Sequence, residues 1–137
     1  MAPLKQKGDL AELMVAADLR RRGYKIALPY GEDWDYDLII ERHGQLERIQ
    51  VKYCTSDGVV VPVKCYSHSL TNGRVRATKH YTAKTVDWIA VWDATTKTSY
   101  YVPSSVFDGY KQLHLRLAPT RNNQSLRIRH AADFLEI

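Results

Sequence analysis

The stretch Arg48-Ile49-Gln50-Val51-Lys52-Tyr53 alternates polar and apolar residues along its whole length. Strict alternation predicts a β-strand with two different faces, because successive side chains point to opposite sides of a sheet. The apolar residues share one face and the polar residues share the other. Gln50 and Lys52 therefore point to the same side of the strand, and the groups that they meet there decide what the strand does.

A partner strand precedes this stretch. Residues 36–41 also read as a strand, and His43-Gly44 has the composition of a tight turn between two antiparallel strands. A two-residue turn at this place puts Asp37 opposite Gln50 and Asp35 opposite Lys52. Side chains directly opposite each other in such a pair lie about 4.5–5.5 Å apart at Cβ. We therefore expect Asp37, Gln50 and Lys52 to converge on one patch.

The chemistry of this patch suits a hard divalent cation. Carboxylate and amide oxygens are the ligands that magnesium and manganese prefer, and a neighbouring lysine can orient a water or neutralise a phosphate. Each residue also has a structural alternative. Asp37 and Asp35 can begin a strand or cap a turn, and Gln50 and Lys52 can lie on a solvated sheet face.

Residues 7–22 read as a helix with two apolar stripes. A helix that is apolar on both sides is expected to be buried, and a carboxylate in a buried stripe needs a partner. For Glu12 we expect a metal-bound water or Lys52, with a salt bridge to Arg20 or Arg21 as the alternative. The two stripes are Leu10, Leu13, Met14 and Ala17, and Glu12, Val15, Ala16 and Leu19.

The residues that carry chemistry occur in the order Lys7-Gly8, Glu12, Asp37 and Gln50-x-Lys52. This order resembles the PD-(D/E)XK nuclease superfamily, in the variant with Gln in place of the second acid. The chain is most similar to the small endonucleases of this superfamily that are associated with group I introns, and less similar to archaeal Holliday-junction resolvases. Further matching segments are Arg22-Gly23-Tyr24, Pro29-x-Gly31-Glu32-Asp33, Tyr36-Asp37-Leu38-Ile39, Gln50-Val51-Lys52-Tyr53 and Tyr100-Tyr101-Val102-Pro103.

The resemblance implies a restriction-endonuclease-like α/β fold, with a mixed central sheet flanked by helices, and metal-dependent hydrolysis of DNA phosphodiester bonds. It implies Mg²⁺, which Mn²⁺ can replace, held by Asp37, Gln50 and the backbone carbonyl of Val51. Glu12 would act at the metal directly or through water, and Lys52 would position or activate the attacking water. Gln50 is the departure from the usual acid, and it lowers the negative charge around the metal.

The distribution of charge supports a nucleic-acid substrate. The chain carries a net charge of +5, yet no acid occurs in residues 58–86 or 109–132, and acids gather at 32–47. Basic segments around an acidic centre suit an enzyme that holds cations and grips backbone phosphates. We expect segments 66–80 and 118–129 to contact DNA, chiefly through Arg74, Arg76, Lys79, Arg121 and Arg127.

Composition indicates one soluble domain that spans residues 1–137. No apolar run reaches the ~20 residues of a membrane span, and the N-terminus lacks a signal-peptide pattern. Two cysteines, Cys54 and Cys65, form neither a disulfide framework nor a zinc motif, so we expect a cytoplasmic protein with reduced thiols. Further strands are expected at 24–28, 59–65, 87–93, 99–102 and 112–117, a loop or loose ribbon at 66–80, and short helices at 103–107 and 131–135.

The sequence therefore predicts a magnesium-dependent DNA endonuclease of the homing type, which cuts both strands of a duplex. Because one site cuts one strand, we expect a homodimer or homotetramer. One alternative is a Holliday-junction resolvase, which cuts branched DNA. The other is a DNA-binding module that keeps the fold without catalysis, and an RNA substrate also remains open.

Overall fold

The structure is a computed structural model that describes residues 4–71, 73–119 and 128–137. Its elements in chain order are α1 (Leu4–Arg21), β1 (Lys25–Ala27), β2 (Leu38–Arg42), β3 (Gln45–Cys54), β4 (Val60–Lys64), β5 (Tyr66–Thr71), β6 (Arg74–His80), β7 (Trp88–Asp93), β8 (Thr98–Pro103), α2 (Ser104–Phe107), β9 (Gln112–Arg116) and a final 3₁₀ helix (Ala131–Phe134). Within these ranges, no helix has the length and hydropathy that crossing a membrane requires.

The central sheet has five strands in the order β1-β2-β3-β7-β8. Strands β3 and β7 run parallel, whereas the other neighbours run antiparallel. The mixed central sheet of the expected α/β fold is therefore confirmed. Strand β7 lies between β3 and β8 and is buried along nearly its whole length, as its continuous apolar run predicts.

The β2–β3 hairpin has the register that the sequence predicts. Leu38 pairs with Ile49 and Arg42 pairs with Gln45, which leaves His43-Gly44 as the two-residue turn. Both turn residues have positive φ, 53° and 75°, as the tight hairpin turn with matching twist requires. Regular pairing begins at Leu38, so the acidic segment that ends at Asp37 lies just outside the ladder.

Helix α1 packs on one face of this sheet through a single stripe. Ala11, Val15 and Leu19 are fully buried against the apolar face of β3 and its neighbours. The expectation that both stripes are buried is wrong, because Leu13 is 68% exposed and Met14 is 37% exposed. Because α1 lies on one face of the sheet, only the stripe that faces the sheet contacts the core.

The opposite face of the sheet is covered by the antiparallel pair β4–β9, by α2 and by the 3₁₀ helix. Val61, Val63 and Phe107 from these elements are fully buried in a cluster with Ile89 of the central strand. Segment 66–80, for which a loop or a ribbon was expected, forms a ribbon of β5 and β6 with an irregularity at Ser69/Leu70.

Candidate active site

Asp37 continues the β2–β3 ladder with its side chain. Its backbone N–H donates to the carbonyl of Ile49 at 2.9 Å, and its Oδ2 accepts the N–H of Val51 at 3.0 Å. The carboxylate thus takes the place of the next backbone acceptor, at the point where the two strands separate. This bond fixes Asp37 beside Val51, one residue before the regular pairing of Leu38 with Ile49 begins.

Glu12 meets Asp37 from the helix side. Burial, the charge of Asp37 and a hydrogen bond between the two carboxyl groups raise the pKa of Glu12 to about 7. Burial also raises the pKa of Asp37, against the opposing hydrogen bond from Val51. The alternative partners of Glu12 are engaged elsewhere, because Arg20 donates to the carbonyl of Tyr24 and Arg21 pairs with Asp18.

Lys52 approaches Asp37 from the other side of the sheet. Burial lowers the pKa of Lys52, and the charge of Asp37 opposes this effect. The ammonium group donates to the carbonyl of Tyr66 at 2.9 Å and lies 5.0 Å from the ring centroid of Tyr81. Neither partner could be predicted from the sequence, because Tyr66 begins the ribbon and Tyr81 directly follows it, outside the hairpin that contains Lys52.

Asp35 does not lie opposite Lys52. It precedes the first paired residue of β2, and its Oδ1 accepts a hydrogen bond from Lys79 at 2.7 Å. The ion pair ties the base of the ribbon to the acidic segment beside the site. Arg48, on the polar face of β3, is also used within the protein, since it pairs with Asp87 at 2.9 Å and lowers the pKa of that carboxyl.

Gln50 and the carbonyl of Val51 complete the patch. The amide nitrogen of Gln50 lies 3.4 Å from the Val51 carbonyl oxygen, so the two groups that the resemblance makes metal ligands are adjacent. Rotation about the terminal torsion of Gln50 exchanges its amide nitrogen and oxygen. The amide oxygen can thereby lie on the same side as the Val51 carbonyl oxygen.

The donor set fits a hard divalent cation. It contains two carboxylates, one amide and one backbone carbonyl, and no group of three or more His, Cys, Asp or Glu side chains able to hold a metal occurs in the described part of the chain. Oxygen donors of this kind suit Mg²⁺ or Mn²⁺ rather than zinc. Burial is the main cause of the raised pKa of Glu12, and the charge of Asp37 adds to it; a cation between the two carboxyl groups would offset that charge.

A cavity of about 240 Å³ opens at the two carboxyl groups. The loop that precedes β2 forms its other wall, so the opening is bordered by acids and by one indole ring. Its lining residues are Glu12, Pro29, Gly31, Glu32, Asp33, Trp34, Tyr36 and Asp37. The structure therefore brings Glu12 and Asp37 to one opening. Gln50 and Lys52 do not line this opening, but they flank Val51, whose N–H binds Asp37.

The expected DNA-contacting residues are only partly described. Arg74 is exposed on β6, Arg76 lies on the same strand, and Lys79 makes the ion pair with Asp35. Arg121 and Arg127 lie outside the described residues. Contact of the ribbon with DNA therefore stays a prediction.

A mixed sheet, a helix that carries a glutamate, and an Asp and a Gln-x-Lys segment at the place where β2 and β3 separate are the arrangement of a restriction-endonuclease-type fold. The profile of the PD-(D/E)XK endonuclease family matches residues 3–137, so the chain belongs to that family. The resemblance drawn from the motif is thereby confirmed, and the protein is a nuclease by family.

Among solved structures, the chain is similar to the bacterial homing endonuclease I-Ssp6803I. The TM-score is 0.75 and the identity 24%, over 97% of this chain and 88% of that chain. No curated protein matches the chain. The similarity to the solved structure confirms the fold.

Proposed function

We propose that the protein is a metal-dependent DNA endonuclease of the homing type, which hydrolyses phosphodiester bonds in both strands of a duplex with Mg²⁺ or Mn²⁺. The observation that carries the proposal is the convergence of Glu12 from α1, Asp37 from the segment before β2 and Lys52 from β3, where Asp37 Oδ2 accepts the N–H of Val51 at 3.0 Å. Membership of the endonuclease family and the similarity to a bacterial homing endonuclease support it.

Each residue has a distinct role in this proposal. Asp37, Gln50 and the Val51 carbonyl would hold the cation, with Glu12 beside them. When bound, such a cation supplies Lewis-acid polarisation of the phosphate and a more acidic water. Lys52 holds its ammonium group next to Asp37, where it can orient the attacking water and offset the charge that develops on the phosphate.

The substrate is tested with a supercoiled plasmid pool carrying random inserts, a four-way DNA junction and a single-stranded RNA, each with Mg²⁺. We expect site-specific linear products from the plasmid pool. Preferred cutting of the junction would favour a resolvase instead. Tight DNA binding without cutting of any substrate would favour the binding module.

Lys52→Ala is expected to reduce cutting by about a hundredfold or more, because the group that orients the water is lost. The matched control is Lys25→Ala, which removes an exposed lysine from β1. End-labelled product yields measure both rates. Equal rates for Lys52→Ala and the wild type would contradict the assignment of the site.

A second copy of the chain is part of the proposal, since one site cuts one strand. Leu10, Leu13 and Met14 on α1 form an exposed apolar surface, hereafter the α1 surface. It faces away from the core, and we infer that a second copy covers it.

We expect Leu13→Lys to weaken self-association at least tenfold. Each copy loses the roughly 1.5–3 kcal/mol of stabilisation that burial of a leucine side chain contributes. Sedimentation velocity over a range of concentrations measures the change. The control is Leu46→Lys on the β2–β3 hairpin, since Leu46 is 70% exposed and Leu13 is 68% exposed. Equal self-association of the two variants would show that the α1 surface is not part of the interface.

A further inference from the structure

The ammonium group of Lys52 is held by two groups from one region. The carbonyl of Tyr66, the first residue of β5, accepts a hydrogen bond at 2.9 Å. The ring of Tyr81, the residue that follows β6, lies with its centroid 5.0 Å from Nζ. Both groups belong to the base of the ribbon, where Tyr66 pairs with His80.

Tyr81 is itself fixed in place. It is 4% exposed, and its backbone N–H donates to the carbonyl of Cys65 at 2.9 Å. Its ring packs in the core cluster that also contains Val63 and Phe107. The ring is therefore a rigid surface beneath a flexible four-carbon side chain.

An aromatic ring suits this position better than a carboxylate does. The face of the ring attracts an ammonium group through its quadrupole, but it uses none of the three N–H donors in a directed N–H···O bond. One donor of Lys52 is taken by the Tyr66 carbonyl, so the others remain for water and phosphate. A carboxylate in the same place would bind these donors and compete with the phosphate.

We propose that Tyr81 is a positioning residue that holds the ammonium group of Lys52 beside Asp37 through a cation–π contact. This inference rests on the proposed nuclease function. It assigns to Tyr81 an electronic role in addition to its packing in the core. An electronic role and a packing role are separable, because fluorination of a ring changes its charge distribution far more than its shape.

The test places phenylalanine and its mono-, di- and pentafluoro derivatives at position 81 by amber suppression. Tyr81→Phe keeps the ring and is expected to cut the plasmid pool at close to the wild-type rate. Stepwise fluorination is expected to lower kcat progressively, by about 2- to 30-fold over the series. KM for the plasmid and the urea midpoint are expected to stay unchanged, because neither DNA contacts nor packing is altered.

The matched control applies the same series at Phe107, which is fully buried in the same cluster. If kcat falls equally in both series, or stays flat at position 81, the effect is one of packing and the proposal is overturned. Tyr81→Leu removes the ring altogether, and its urea midpoint shows whether this variant folds.

A second readout does not depend on cleavage. The ε-methylene protons of Lys52 are expected to show an upfield ring-current shift by NMR in the wild type and in Tyr81→Phe. Absence of this shift in both proteins overturns the contact. If the wild type cuts no substrate but the shift is present, the proposed function fails while the contact between Tyr81 and Lys52 stands.

Discussion

Asp37→Asn is expected to lower metal-dependent cleavage on the order of a thousandfold while the protein still folds. The amide oxygen of asparagine can still accept the N–H of Val51, which Asp37 Oδ2 accepts at 3.0 Å. The second carboxylate oxygen, however, becomes an NH₂ group beside Glu12. An anionic ligand is thereby replaced by a donor that repels a cation, with little change in shape.

Asp35→Asn is the matched control for this prediction. Asp35 lies two residues away in the same acidic segment, but its partner is Lys79 at 2.7 Å. We expect cleavage by Asp35→Asn to stay within about tenfold of the wild type, since an exposed ion pair contributes little. Calorimetric titration with Mn²⁺ should show weaker binding only for Asp37→Asn. Loss of cleavage in the Asp35 variant alone would place the metal elsewhere along the segment.

The position of Asp37 could be predicted because hairpin register is local. The turn at His43-Gly44 and the alternation in β3 together determine which residues face each other, and the observed pairing of Leu38 with Ile49 follows from them. The same argument failed for Asp35. Register holds only where strands pair, and the acidic segment leaves the ladder at Asp37, where a side chain replaces the backbone acceptor.

The surroundings of Lys52 could not be predicted, because they depend on long-range packing. The alternation of polar and apolar residues predicts the side of the sheet to which Lys52 points. It does not predict that the base of the ribbon covers that side. The same limit applies to α1. The sequence contains two apolar stripes, and only the packing of the helix on one sheet face decides that Val15 is buried and Leu13 exposed.

The second large effect concerns Asp93 at the end of β7, which from sequence is only the last residue of an apolar strand. The side chain is fully buried, and no cation pairs with it among the described residues. Only neutral donors surround the carboxylate. They are the N–H and hydroxyl of Ser56 at 2.8 and 2.7 Å, the N–H of Thr95 at 3.2 Å, the N–H and hydroxyl of Thr96 at 3.3 and 2.8 Å, and the thiol of Cys54 at 3.6 Å.

Asp93→Ala is expected to lower the free energy of unfolding by about 3–5 kcal/mol, because several buried donors lose their acceptor at once. The Asp93 carboxylate joins the loop after β3 to the turn after β7. Both segments would therefore loosen in the variant. Urea denaturation measures the loss, with the exposed Asp133→Ala as control, which should change stability by less than about 0.5 kcal/mol. A loss below about 1 kcal/mol for Asp93→Ala would show that water satisfies these donors equally well.

The same carboxylate predicts the direction of the acid response. Burial alone would raise the pKa of Asp93, but the hydrogen bonds from Ser56, Thr96 and Thr95 outweigh it and hold the pKa below its ordinary value of 3.8. A pKa lowered by folding means that the stabilisation is complete above pH 3.8 and is lost as the pH falls through the folded-state value. The difference in unfolding free energy between the wild type and Asp93→Asn should therefore be constant near neutral pH and shrink below 3.8. A difference that stays constant into strong acid would mean that folding leaves the pKa of Asp93 unchanged, so that these hydrogen bonds do not favour the ionised carboxylate.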